Sequence, residues 1–244
     1  MTSTEENRRY ALSDELFREL NTLAARLERE FKSDGAFVPR VGRLYGENDA
    51  PRIMFIGKGT AGWGGSSLSL DDDWQATQRF YDKLYNKEYR SQFWDFIRNL
   101  TKGLFDRVGL DCEDDMRWAL DRVVWSNLMK IGAKGSQPYG ELADKQRPLM
   151  EKILHHELNT LRPNVIIICT NDYEEEFVES FFGLQDSKIL AEVGGSEIYS
   201  IVSQEIGAKI YWTRHPERWG NRSEAERIIA EDFGNWYRQK PPGS

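Results

Sequence analysis

Leu16, Leu20, Leu23, Leu27 and Phe31 recur every three or four positions, the spacing that gathers side chains on one face of a helix. This stripe predicts an amphipathic helix over about 13–32, with Ser13 as its N-cap. Ile53, Met54, Phe55 and Ile56 are apolar without interruption, and glycines follow at once. Such a run predicts a strand buried on both faces. The same signal predicts strands over 120–127, 164–170 and 208–213, while 196–202 reads as an edge strand or hairpin arm.

Helical spacing fills the intervals. Trp74, Phe80, Tyr81 and Leu84 follow Asp71, Asp72 and Asp73, whose carboxylates suit a helix N-terminus. Phe93, Trp94 and Ile97 mark a helix over about 91–104. Leu149, Met150, Ile153, Leu154, Leu158 and Leu161 mark another that stops before Pro163, and 171–182 reads as helical. Ser223 and Glu226 fit a capping box opening a last helix, with Ile228, Ile229, Phe233 and Trp236 inward. Four buried strands alternating with helices predict the α/β class, because parallel strands require crossovers. A length of 244 residues fits one domain, 1–244, with its core over about 50–238.

Composition narrows the function. No stretch approaches the roughly 18 apolar residues of a membrane span, and the N-terminus has no secretory apolar core, so a cytoplasmic protein is expected. Cys112 and Cys169 are too few for a disulfide framework or a cysteine-ligated metal or iron–sulfur site, so neither metal nor cofactor is expected. A net charge of −7 argues against coating nucleic acid nonspecifically but leaves room for a local basic cleft. Arg214, Arg218 and Arg222 surround His215, and Lys130 and Lys134 follow the strand over 120–127.

The glycine-rich stretch after Ile56 is the first place to look for a site, since bare backbone admits a ligand closely and α/β sheets bind beyond the carboxyl ends of their strands. Gly57, Gly59 and Gly62 satisfy GxGxxG, but Gly64 and Gly65 prolong the loop where a dinucleotide fold opens a helix. The next strand, at Val123, also lies far beyond the roughly 20 residues at which that fingerprint ends its second strand in an acid.

Three strand ends carry candidate groups: Gly57 to Gly65, Asn127 to Lys130 (NLMK), and Arg214-His215-Pro216. Together with LRPNVIIICTN between the last two, they resemble, in order, the motifs of the uracil-DNA glycosylase superfamily. The resemblance covers about 50–235. It implies a three-layer α/β/α sandwich around a four-stranded parallel sheet of order 2-1-3-4. It also implies a monofunctional glycosylase that flips a nucleotide out of DNA and hydrolyses its N-glycosidic bond, most simply as a monomer. Transferred residue by residue, His215 stabilises charge on the departing base and Asn127 reads its Watson–Crick edge. Gly57, Lys58, Gly59, Thr60, Ala61, Gly62 and Trp63 line the base, with Trp63, Trp74 or Phe80 stacking on it, and Lys130, Arg214 and Arg218 hold phosphates.

The departures also matter. Gly59 stands where the family commonly has an Asp or Asn for the attacking water, and His-Pro-Ser has become His215-Pro216-Glu217. A backbone carbonyl, one of Asp71 to Asp73, Asp172 or Glu217 are the alternatives for that water, or the chain does not catalyse. Ala61 replaces a bulky Tyr against carbon 5, which implies room for a 5-substituted pyrimidine such as glucosylated hydroxymethylcytosine in phage DNA, and hence anti-phage defence. A noncatalytic DNA- or nucleotide-binding module and a small-molecule nucleoside hydrolase remain the other readings.

Overall fold

The computed structural model describes residues 12–59 and 70–239. The elements run α1 (Asp14–Phe31), β1 (Ser33–Ala36), β2 (Arg40–Val41), β3 (Ile53–Gly59), α2 (Leu70–Tyr85), α3 (Gln92–Arg107), α4 (Met116–Leu120), β4 (Val123–Met129), β5 (Ile131–Ala133) and α5 (Glu141–Asp144). They continue with α6 (Arg147–Leu161), β6 (Val165–Cys169), α7 (Glu175–Phe182), β7 (Lys188–Val193), β8 (Ser196–Ser203), β9 (Ala208–Thr213) and α8 (Arg222–Arg238). No helix among the described residues is long and apolar enough to cross a membrane.

The α/β class stands, but the sheet is larger than four strands. It has seven, in the order β2-β4-β3-β6-β9-β8-β7, and a separate two-stranded sheet pairs β1 with β5. It is mixed: β6 and β9 are parallel, whereas β8 runs antiparallel to both β9 and β7. The apolar runs read as doubly buried strands are buried throughout β4, β6 and β9, and in β3 up to Lys58. The β7 strand has no such run because it forms the sheet's edge and half its side chains meet solvent. Of the two readings of 196–202, the hairpin arm holds: β8 pairs antiparallel with β7 and is not itself the edge.

Several boundaries move for local reasons. The β3 strand continues through Gly57 to Gly59 instead of stopping at Ile56, and none of these residues has positive φ. Residues 116–120 form α4, capped by the Asp115 carboxylate accepting from Trp118 N–H at 2.9 Å, so β4 begins at Val123. Ser13 does cap α1, accepting from Leu16 N–H. Ser223 does not cap α8: Asn221 is the N-cap, and Glu226 turns to Asn99 at 3.2 Å and Arg222 at 3.2 Å. The α7 helix starts only at Glu175, after left-handed turns at Asn171 and Glu174.

The chain divides into two compact units, one of Met1–Val41, Ile56–Lys83 and Trp125–Arg162, the other of Gly42–Phe55, Leu84–Val124 and Pro163–Ser244. In the first, α1 buries Phe17, Leu20, Leu23, Ala24 and Leu27, and its solvent side exchanges ion pairs with the 145–152 segment through Lys145–Glu30 and Lys152–Glu19. Gln146 completes β5 from outside the sheet. Its carbonyl accepts from Ile131 N–H at 2.9 Å and its amide donates to Ile131 O at 2.9 Å, so one side chain satisfies both backbone groups. In the second unit α3 crosses α8 closely. A β-carbon at Gly234 would lie 2.8 Å from that of Arg107, so glycine permits the approach.

Candidate active site

In the first unit, the candidate residues gather at the ends of β3 and β4. The fully buried backbone of β4 carries Asn127 two residues before the strand ends, with 3% of its surface exposed. Gly57 on β3 accounts for how that side chain fits. A β-carbon there would come within 2.5 Å of Asn127 Oδ1. Glycine is thus required for close approach and not for an unusual dihedral angle. The Asn127 Nδ2 group is buried and has no hydrogen-bond acceptor among the described residues. A buried amide donor left open is costly, and native proteins rarely tolerate one without a use for it.

Beneath Asn127 lies a buried polar network that sequence reading missed. Lys130 and Glu157 are both wholly buried and form an ion pair at 2.8 Å. The ammonium also donates to Ser126 Oγ at 2.6 Å and to the Asn127 carbonyl at 2.5 Å. Ser126 Oγ in turn donates to the other Glu157 oxygen at 2.7 Å. Burial pulls the Lys130 ammonium below its ordinary range and pushes the Glu157 carboxyl above its own, while their mutual attraction opposes both shifts. Lys130 therefore cannot hold a phosphate, as the sequence suggested. It instead fixes the backbone from which Asn127 projects. Glu157 was legible in principle, since it falls on the apolar stripe of Ile153, Leu154 and Leu158, where a lone acid needs a buried partner.

Lys58 on β3 is 9% exposed and so offers little surface to a ligand. Gly59 faces the loop after β5: a β-carbon there would lie 3.0 Å from Pro138 Cδ and 3.3 Å from Gln137 Oε1. The expectations for Thr60, Ala61, Gly62 and Trp63, and the Gly64–Gly65 end of the loop, lie outside the described residues. Of the other stacking candidates, Phe80 on α2 is half-buried with its ring centroid 6.2 Å from that of Trp125, and the Trp74 side chain lies outside the described residues.

In the second unit, the loop after β9 carries Arg214, His215 and Arg218. The His215 ring stacks on Phe93, with centroids 5.3 Å apart and planes 8° from parallel. Phe93 opens α3, whose first turn is held where Arg222 donates to the Gln92 carbonyl at 3.1 Å. Trp219 anchors the far end of the loop by donating from Nε1 to the Val193 carbonyl at 2.8 Å. His215 is thus half-buried, with its ring oriented by Phe93.

Arg214 donates to Ser196 Oγ at 2.9 Å and lines a cleft of ≈ 390 Å³. The same cleft presents Asp172, Glu175, Glu192 and Glu197, so its surroundings repel phosphate and the phosphate role drawn for Arg214 lacks support there. Arg218 is exposed, as a phosphate contact needs to be. Compared with protein-family models the chain matches none, and no curated protein matches it significantly in sequence.

Proposed function

We propose that this chain is a monofunctional DNA glycosylase that hydrolyses the N-glycosidic bond of a flipped, modified pyrimidine. The observation that carries the reading is the Asn127 carboxamide, buried at the end of β4 with its donor open and with room made for it by Gly57. An amide offers one donor pair and one acceptor, which matches the mixed edge of a pyrimidine. Flipping costs a few kcal/mol, and a preorganised donor already stripped of water recovers part of it on binding. The succession β4-β3-β6-β9 along the sheet supports an α/β/α sandwich of order 2-1-3-4 in those strands.

His215 is assigned to the departing base, where it stabilises negative charge on the carbonyl oxygen. Its ring plane is set by Phe93, so little reorganisation is needed as charge develops. Such cleavage has an oxocarbenium-like transition state, in which leaving-group stabilisation lowers the barrier even without a strong base.

Incubation with duplex and single-stranded DNAs bearing different 5-substituted cytosines and uracils, followed by counting abasic sites, tests the reading. Release of a base from one of them, and its loss in Asn127→Ala, is the expected result. Absence of release from every substrate, with free nucleosides cleaved instead, would transfer the chain to the nucleoside hydrolases. Ala61→Tyr should abolish release of the bulky base while leaving the thermal melt unchanged, because a ring cannot be absorbed beside a filled pocket without overlap.

A further inference from the structure

We propose that Gln137 Oε1 is the acceptor that positions the attacking water, in the place of the side chain that residue 59 lacks. This inference rests on the glycosylase reading and adds a residue to it. The glycine at 59 removes the Asp or Asn that such an enzyme commonly uses, which leaves the nucleophile without a holder on β3. The structure fills the same place from another segment. Gly135, with φ +72°, turns the chain after β5, and Ser136 N–H donates to Ala133 O at 3.0 Å to close that turn. The turn delivers Gln137 and Pro138 onto Gly59, with the Gln137 oxygen 3.3 Å from where a β-carbon at 59 would stand.

Two properties of that oxygen argue for a ligand rather than for packing. It is buried, and it accepts from no donor among the described residues. An amide oxygen removed from solvent normally finds a partner, and a bound water's O–H is the simplest donor to supply one. Pro138 Cδ, 3.0 Å from the same point, crowds any side chain at 59, and the 137–138 segment occupies the space such a side chain would take.

The chemistry balances without a protein base. The bond between the anomeric carbon and the base nitrogen breaks, and its electron pair leaves with the base. The water oxygen, oriented by Gln137, forms the new bond to the anomeric carbon. One water proton passes to solvent, the base takes a proton from solvent, and the products are an abasic sugar and a free base. A carboxamide orients the water but does not accept its proton, which suffices where bond breaking runs ahead of attack.

The test compares wild type, Gln137→Ala and Gln137→Glu in single-turnover base release, with affinity for DNA containing a tetrahydrofuran abasic analogue and a thermal melt on each. Gln137→Ala should release base about a hundredfold more slowly, as expected for a misplaced nucleophile, with abasic-analogue affinity and melting unchanged. Gln137→Glu should recover most of the rate, because a carboxyl oxygen at the same place accepts the same water proton. Wild-type release by a folded Gln137→Ala, or a folded Gln137→Glu no faster than Gln137→Ala, overturns the assignment and leaves the glycosylase reading standing. A wild-type protein that releases no base from DNA overturns both.

Discussion

Gly57 and Asn127 are fitted to each other: the side-chain oxygen of Asn127 lies 2.5 Å from where a β-carbon on residue 57 would be. Gly57→Ala therefore displaces a carboxamide before it strains any backbone. The expected result is a folded protein destabilised by about 1–3 kcal/mol, the usual cost of overpacking. Its base release should fall about a hundredfold, because the misplaced group no longer meets the base. Adding Asn127→Ala should cost little further activity if the glycine acts through that side chain. Full additivity in the double-mutant cycle would show that it does not.

The Lys130–Glu157 pair gives a stability prediction that is independent of function. Lys130→Met alone leaves a buried carboxylate with only Ser126 as a partner, and should cost about 3–5 kcal/mol in urea denaturation. Replacing both, as Lys130→Met with Glu157→Leu, should recover most of that loss, because no uncompensated charge then remains. A double variant as unstable as the single one would mean that the loss comes from packing.

His215→Ala should slow base release by about two to three orders of magnitude, the effect of removing a preorganised donor to developing charge. Affinity for an abasic-analogue DNA should hardly change, since the ring rests on Phe93 and carries no backbone contact in this reading. Unaltered single-turnover release would reduce His215 to a packing residue.

Tyr211 sets an alkaline limit on stability. Burial pushes its phenol well above the ordinary value, helped by Asp232, whose carboxylate accepts the hydroxyl proton at 2.7 Å. A group whose folded pKa is raised contributes stability that is complete below its unfolded value and is lost as pH rises through the folded one. Stability should therefore fall above about pH 10, where unfolded tyrosine ionises. Tyr211→Phe should give a shallower decline in melting temperature across that range than wild type; an identical slope would place the alkaline loss on other groups.

The sequence by itself determined the elements whose surroundings are uniform. Ile53 to Ile56 and Val165 to Cys169 announce strands because burial on both faces favours apolar residues there, and Ala208 to Thr213 follows the same pattern around Lys209. The α1 stripe and its Ser13 cap are equally local, since their partners lie within one or two helical turns. Asn127 and His215 were found as polar groups at the ends of such strands, where an α/β sheet exposes its chemistry. Tertiary structure alone decided what distant residues meet. A lysine at a strand end has the same local pattern whether it faces solvent or Glu157, so the fate of Lys130 depended on a helix that begins seventeen residues later. Gly57 and Gly59 suggested conformational freedom, yet their φ values are ordinary. Their purpose is clearance for Asn127 and Gln137, which only the packing of separate strands and loops against one another imposes.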